Sequence, residues 1–386
     1  MAPVTAGIFV EFTCWKLMAP LLPLWASRLG ATPLAVGGLL TAFAAAELGC
    51  APLLGALSDR FGRRPVIVVS LALSVASFAM VALARSLATL FAAQIVGGFG
   101  AAIVSVGQAA VADRVNPTRL AQAMAYLAAA IGIAYVVGPA LGGALSALGT
   151  TAPFWAATVL AFGNTAMIWA LLPETRSPDR AADPMPAAVR WRELLRPKWM
   201  HRLALTALIF GSVIVTLEAV LPLFTHRVLG WDEAPNGWLF AYLGVAIVAM
   251  QLGLVGRCAT RFGERRLMLG GLATAAAGLI LLGVSATVAP VLIGVGLIGV
   301  GAGTIIPLLP TLFCLASPGE NRGAVLGFAQ GLIALARLVG PLVATAAFTW
   351  SIGAPFIIVG LACVLGVALL TAGRNPVIDA AGALEP

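Results

Sequence analysis

The chain is a succession of long apolar runs separated by short charged breaks, and one break settles what those runs are. Gly55-Ala-Leu-Ser-Asp59-Arg60-Phe61-Gly62-Arg63-Arg64-Pro65 carries one acid and three arginines. Before it, Pro33 to Leu57 holds a single charge, Glu47; after it, Val66 to Ala84 holds none. A charged side chain in hydrocarbon costs several kcal/mol, so the break must sit in water. Each flanking run matches the ~20 apolar residues that cross a bilayer as a helix. The stretch therefore predicts a hairpin of two membrane helices joined by a tight basic turn.

The same reading extends along the chain. Spans are predicted at 6–28, 33–57, 66–84, 88–112, 121–148, 153–173, 203–226, 235–257, 266–286, 289–315, 323–347 and 353–373. The composition, 61% hydrophobic and 10% charged, leaves no segment polar enough for a separate water-soluble domain, since such domains carry about 25% charged residues. The longest polar insertion runs from Glu174 to Met200, and its Trp191–Arg196 part suits a short helix lying on the membrane surface. It divides the chain into an N-terminal half (1–173), a linker (174–200) and a C-terminal half (201–386).

A net charge of +8 would ordinarily raise the question of nucleic acid. Its distribution answers that question. Of the 23 Lys and Arg, eighteen fall on the side of the Asp59 stretch, and three, Arg28, Arg85 and Arg227, fall on the other. The last two, Lys16 and Arg337, lie inside spans. This is the positive-inside asymmetry of a multi-pass protein of the cell inner (plasma) membrane, with both termini expected in the cytoplasm and no nucleic-acid partner. The five cysteines lack metal or disulfide spacing, the two histidines are distant in sequence, and there is no phosphate-binding G-x-x-x-x-G-K-[ST] loop. No metal, cofactor or ATP-driven step is expected, and no nucleophile–base spacing suggests an enzyme. Glu11 and Lys16 in the first run argue for a retained first helix over a cleaved signal peptide.

The two halves repeat each other. Gly55-x-x-x-Asp59-Arg60-Phe61-Gly62-x-Arg64 recurs as Gly256-x-x-x-Thr260-Arg261-Phe262-Gly263-x-Arg265, an offset of 201. Gly98-x-Gly100-Ala101 recurs as Gly299-x-Gly301-Ala302 at the same offset, and Gly138-Pro139 as Gly340-Pro341 at 202. Three matches at essentially one offset point to a duplicated six-helix unit. In transporters built from such repeats the substrate site lies near the bilayer midplane, between the halves.

The segment G-x-L-x-D-R-F-G-R-R at 55–64 resembles the signature loop between helices 2 and 3 of the major facilitator superfamily. The resemblance covers nearly the whole chain and implies an all-α membrane protein. Its twelve transmembrane helices form two six-helix halves in pseudo-twofold repeat. It further implies that Gly55, Asp59, Arg60, Gly62, Arg63 and Arg64 act with Asp113 as a cytoplasmic latch that closes in one state and breaks in the other. Ala134-x-x-x-Gly138-Pro139-x-x-Gly142-Gly143 resembles the helix 5 motif of drug–proton antiporters, with Ala134 where Gly is usual. In helix 4, Gln94 replaces the family's usual arginine, linked there to proton coupling. Glu11, nine residues before Pro20 of P-x-x-P, looks like the start of tetracycline-efflux and related exporters, with Glu for Asp. Glu47 stands where those exporters tend to carry glutamine, and Ser77 stands for their helix 3 acid. Those departures argue against tetracycline itself as cargo.

The charges inside spans are the sharpest functional clue, because each must be paired or face water. Glu11 and Lys16 are separated by about 140° around a helix and do not share a face. Lys16, Glu47 and Arg337 lie near helix centres and are expected to cluster across the halves, either as a protonation-sensitive contact or as a permanent structural pair. Glu218 is a candidate cavity carboxylate or a contact for a cationic compound. Trp15, Phe43 and Phe99 are candidate cavity linings, with lipid-facing or core positions equally open for each. The expected function is proton-coupled efflux of a small amphipathic or cationic compound by alternating access, by a monomer embedded in lipid. Two alternatives stay open: an exporter of an anionic or zwitterionic metabolite or siderophore, and a transporter-like receptor or scaffold.

Overall fold

Proline, glycine and small capping side chains set the ends of the helices. The computed structural model describes residues 2–101, 106, 107, 111, 117–173, 198–253, 255–315 and 322–372. In chain order the helices are α1 (Ala2–Met18), α2 (Leu22–Arg28), α3 (Pro33–Phe61), α4 (Arg63–Leu83), α5 (Leu87–Gly100), α6 (Pro117–Ser146) and α7 (Ala152–Leu171). They continue with α8 (Lys198–Leu229), α9 (Glu233–Gly253), α10 (Val255–Phe262), α11 (Glu264–Gly283), α12 (Val288–Leu315), α13 (Arg322–Trp350) and α14 (Ala354–Thr371). At the start of α3, the Thr32 hydroxyl accepts from the Ala35 amide at 3.2 Å and Pro33 occupies the first turn. Ser86 caps α5 in the same way, accepting from the Thr89 amide.

Ten of these helices are long and apolar enough to cross a membrane. The pair α1 and α2, bent by 41° at the break between them, makes an eleventh span. The remaining position in the order is held by α5, apolar but shorter in its described part. The first predicted span is thus two helices. Pro20 offers no amide to the preceding turn and its ring clashes with the carbonyl four residues back, which ends α1; Pro23 sits in the first turn of α2, where proline is tolerated.

The Asp59 stretch also differs from its expectation. It is not a turn from Gly55 to Pro65: α3 stays helical through Phe61, α4 begins at Arg63, and Gly62 alone reverses the chain. Gly62 has φ of 102°, a conformation that side-chain-bearing residues avoid, and its repeat partner Gly263 has φ of 78°. The linker expected at 174–200 shortens, because α8 begins at Lys198; its Trp191–Arg196 segment lies outside the described residues.

The described residues form two compact units. The first takes α1 to α7 together with Trp231–Ala241, the opening turns of α9; the second takes α8 and everything from Tyr242 onward. Within the first, α1 packs on α6 and α7, α4 on α7, and α5 on both α3 and α4. Val4, Ile8, Ile67, Leu71, Leu127 and Ile168 join these helices in one apolar core, and Asn164 donates from α7 to the Gly7 carbonyl of α1 at 3.0 Å. The second unit repeats the scheme: α8 packs on α13 and α14, and α11 on α12 and α14.

The duplication holds at the level of single atoms. A Cβ placed on Gly100 would lie 2.8 Å from the Ser70 carbonyl oxygen and 2.9 Å from the Ser74 amide nitrogen. One placed on Gly301 would lie 2.6 Å from the Gly271 oxygen and 2.8 Å from the Ala275 nitrogen. All three positions are related by the offset of 201. Likewise, Arg64 donates to the Trp169 carbonyl at the end of α7, and Arg265 donates to the Leu370 carbonyl at the end of α14 at 2.6 Å. Each arginine supplies donors to carbonyls that a helix C-terminus leaves without partners.

Gly301→Val should overpack the α11–α12 contact at a cost of roughly 1–3 kcal/mol. The purified protein in detergent should melt several degrees lower, whereas Gly270→Ala, whose Cβ meets nothing within 4 Å, should not melt lower.

Candidate functional site

The site grows from one face of α1. Glu11 is 1% exposed, and its Oε1 accepts from the Trp15 indole Nε1 one turn later at 3.1 Å. Its Oε2 is buried with no hydrogen-bond partner among the described residues; Ser74 of α4 lies beside the carboxyl without closing a bond. Trp15 is wedged between Phe43 of α3 and Phe78 of α4, with ring centroids 4.5 and 4.9 Å away. Gly97 of α5 leaves the space its indole needs: a Cβ there would come 2.6 Å from Trp15 Cη2. Sequence reasoning left Trp15 open between a cavity wall, a lipid-facing position and the core; in the fold its indole clamps Glu11.

Further buried oxygens lie in the same unit. Ser70 Oγ, Ser74 Oγ and Gln94 Oε1 are buried without partners, while Ser77 donates to the Ala93 carbonyl at 2.8 Å. Gln94, standing where the family carries arginine, is 2% exposed. Neutral polar groups are therefore buried in the same unit as the acid. In hydrocarbon a carboxyl group must have its charge matched by a cation or removed by a proton.

Lys16 points to another side of α1, as its spacing from Glu11 required. Its Nζ lies 4.2 Å from the centroid of the Tyr135 ring on α6, a cation–π arrangement. The close approach of α6 makes this possible. A Cβ on Gly138 would lie 2.8 Å from the Thr13 oxygen and 2.9 Å from the Leu17 nitrogen, and one on Gly142 would lie 2.5 Å from the Leu17 oxygen. The helix 5 motif thus lets two backbones touch, with Pro139 buried between the glycines. Tyr135 carried no signal in the sequence.

Glu47, half-buried in α3, belongs to the first unit, and Glu218 and Arg337, half-buried in α8 and α13, belong to the second. Phe99 is exposed on α5.

At the basic stretch the fold supplies a partner the motif did not name. Arg63 donates to Ser58 Oγ at 2.6 Å, and Ser58 donates to the Gly55 carbonyl at 2.7 Å, tying the first turn of α4 to the last of α3 across Gly62. Arg60 stacks over Phe61 at 5.3 Å, and Arg261 over Phe262 at 5.6 Å, again at the repeat offset. A Cβ on Gly55 would meet no described atom within 4 Å. Asp113 and the side chain of Asp59 lie outside the described residues.

Twelve apolar helical positions, a duplicated unit and an acid sealed among them define a secondary transporter fold. The chain belongs to the major facilitator superfamily: the family model matches residues 4–257 and 228–383. It is a membrane transporter of that superfamily. It is 30% identical over 347 residues to the tetracycline resistance protein, class C, of Escherichia coli, covering 86% of this chain and 84% of the relative. It is also 30% identical over 342 residues to the human major facilitator superfamily domain-containing protein 10, covering 82% and 74%. The crystal structure of the human organic anion transporter MFSD10 superposes with a TM-score of 0.69 at 25% identity, covering 96% of this chain and 98% of that one. The resemblance to tetracycline-efflux-type exporters therefore stands.

Two variants separate the roles of Trp15. Trp15→Phe keeps the aromatic packing and removes only the N–H, a loss of about 1 kcal/mol. Trp15→Ala opens a cavity between Phe43 and Phe78 and should cost roughly 3–5 kcal/mol. Thermal melts in detergent should rank wild type above Trp15→Phe above Trp15→Ala.

Proposed function

We propose that this transporter expels a small amphipathic or cationic compound in exchange for protons, by alternating access of its two six-helix halves. Its seat would be the inner (plasma) membrane, as a monomer, with the Gly62 turn and both termini in the cytoplasm. The observation that carries this reading is the Glu11 carboxyl. It is buried in the first unit, held by an indole N–H on one oxygen and by no hydrogen bond from a described residue on the other, on the helix where the resemblance to tetracycline-efflux-type exporters puts an acid. A proton arriving from water needs such an acceptor, and a cycle needs it to be reached from only one side at a time. Glu11 is the proton carrier in this reading. Glu218 is the cavity carboxylate for a cationic cargo, and Glu47, Lys16 and Arg337 are the charges that move with the halves. The 55–64 stretch with Asp113 is the latch on the cytoplasmic side.

A second reading is favoured by Lys16. A cation fixed over Tyr135 in mid-span suits an anionic cargo, and a relative of the same fold is an organic anion transporter. Purified protein in liposomes, driven by an imposed pH gradient, separates the readings. The panel is tetracycline, the cationic dye ethidium and the anionic dye fluorescein.

Flux of ethidium that collapses with the gradient supports the first reading, and flux of fluorescein alone supports the second. If wild type moves none of the three under any gradient, the protein is a receptor or scaffold on a transporter fold. Glu11→Gln should lower gradient-driven flux at least about tenfold, in the range for loss of an essential proton-transfer group. Counterflow exchange of cargo should survive. Gradient-driven flux unchanged in Glu11→Gln would remove this acid from the coupling step. Glu218→Gln should raise the KM for ethidium; an unaltered KM and pH profile would show that Glu218 does not meet the cargo.

A further inference from the structure

The helix ends remote from Gly62 carry an ion pair that the two sequence halves do not share equally. α2 ends on Arg28 and α9 begins at Glu233. Arg28 Nη2 donates to Glu233 Oε2 at 2.8 Å and lies 3.8 Å from Asp232 Oδ1. Asp232 is exposed, but the Glu233 side chain is only 8% exposed, and its Oε1 has no hydrogen-bond partner among the described residues. A carboxylate this buried depends on the guanidinium facing it. Its place in the first turn of α9, where the helix dipole favours an acid, adds to the fit. Asn236 steadies the turn by donating to the Asp232 carbonyl at 2.9 Å.

One turn deeper, a second contact fixes the same stretch. A Cβ on Gly237 would collide with Gly143 of α6, 2.5 Å from its nitrogen, and would lie 2.7 Å from the Pro139 oxygen. The α6 and α9 backbones therefore touch directly. These two contacts explain why Trp231–Ala241, from the C-terminal half of the sequence, cluster with the first unit.

The run Leu22-Pro23-Leu24-x-x-x-Arg28 recurs as Leu221-Pro222-Leu223-x-x-x-Arg227, so Arg227 matches Arg28, but Thr32 stands where Glu233 would need its repeat partner and residues 30–34 hold no acid. At the offset of 202 that relates Gly138-Pro139 to Gly340-Pro341, Thr345 matches Gly143, and at 201 Val36 matches Gly237. Neither set can form an ion pair or a glycine–glycine contact. Pseudo-symmetry would supply two such seams, and the chemistry is present at only one.

We infer that Arg28 and Glu233 form a one-sided clasp that fastens the end of α2 to the start of α9, and that its release is a step of the transport cycle. The second clause rests on the alternating-access reading. Loosening the clasp shifts the resting population toward the state in which these two helix ends part.

The test uses full-length protein in nanodiscs, with backbone hydrogen exchange read over Trp231–Ala241. Arg28→Gln and Glu233→Gln should each raise exchange there about fivefold or more, the scale of an ordinary coupling free energy. The charge-exchanged double variant, R28E with E233R, should bring exchange back toward wild type. Exchange that stays at wild-type level in the single variants, or a double variant no better than the singles, overturns the clasp. In liposomes, Arg28→Gln should raise the KM for cargo presented from the Gly62 side with kcat kept; an unchanged KM beside raised exchange limits the pair to a structural fastening and overturns its part in the cycle. A wild-type protein that moves no cargo overturns the transport reading, while the exchange data still decide the clasp.

Discussion

In lipid, one apolar surface attracts another no better than it attracts hydrocarbon, so these helices hold together by backbone-to-backbone contact. Every close approach described above is made at glycine: Gly100 on α4, Gly301 on α11, Gly138 and Gly142 on α1, Gly237 on Gly143. Dispersion between atoms at contact distance is small per pair and falls off within about an ångström of separation. A side chain at any of these positions would therefore remove the contact, with nothing to replace it. That constraint accounts for the 43 glycines of the chain better than turns do, since among the described residues only Gly30, Gly62, Gly149, Gly230 and Gly263 adopt positive φ.

Close backbone packing also fixes where polar groups can be. With α5 drawn against α4 by Gly97 and Gly100, Ser70, Ser74, Ser77 and Gln94 are sealed inside the first unit. With α6 drawn against α1, Tyr135 is brought to Lys16. Glu11 then sits buried, with the Trp15 indole donating to its carboxyl. The charged groups of the first unit fall into three levels. Arg63 and Arg64 at the Gly62 end bond to Ser58 and to the Trp169 carbonyl, Glu11 and Lys16 lie along α1, and Arg28 pairs with Glu233 at the end of α2.

Part of this was legible beforehand and part was not. The hairpin at Gly62, the twelve apolar runs and the offset of 201 were visible because each is written in consecutive residues. The break at Pro20 and the length of α3 through Phe61 were misjudged by a few residues, because hydropathy marks where a chain enters water and not where its helix stops. In the candidate site, Glu11 and Gln94 were legible as polar residues in apolar runs. Trp15 as a clamp, Ser58 as the partner of Arg63 and Tyr135 beneath Lys16 were not, since an aromatic or a serine inside a span carries no anomaly to notice.

By itself the sequence determined that the chain crosses a membrane many times, that its Lys and Arg gather in particular breaks between spans, and that its second half copies its first. Those properties follow from hydrophobicity, charge and period, which are sums over neighbours along the chain. Only the tertiary structure decided which charges meet. Arg28 and Glu233 stand 205 residues apart, and a pairing at that distance depends on how glycine-lined helices seat against one another, which no local pattern records.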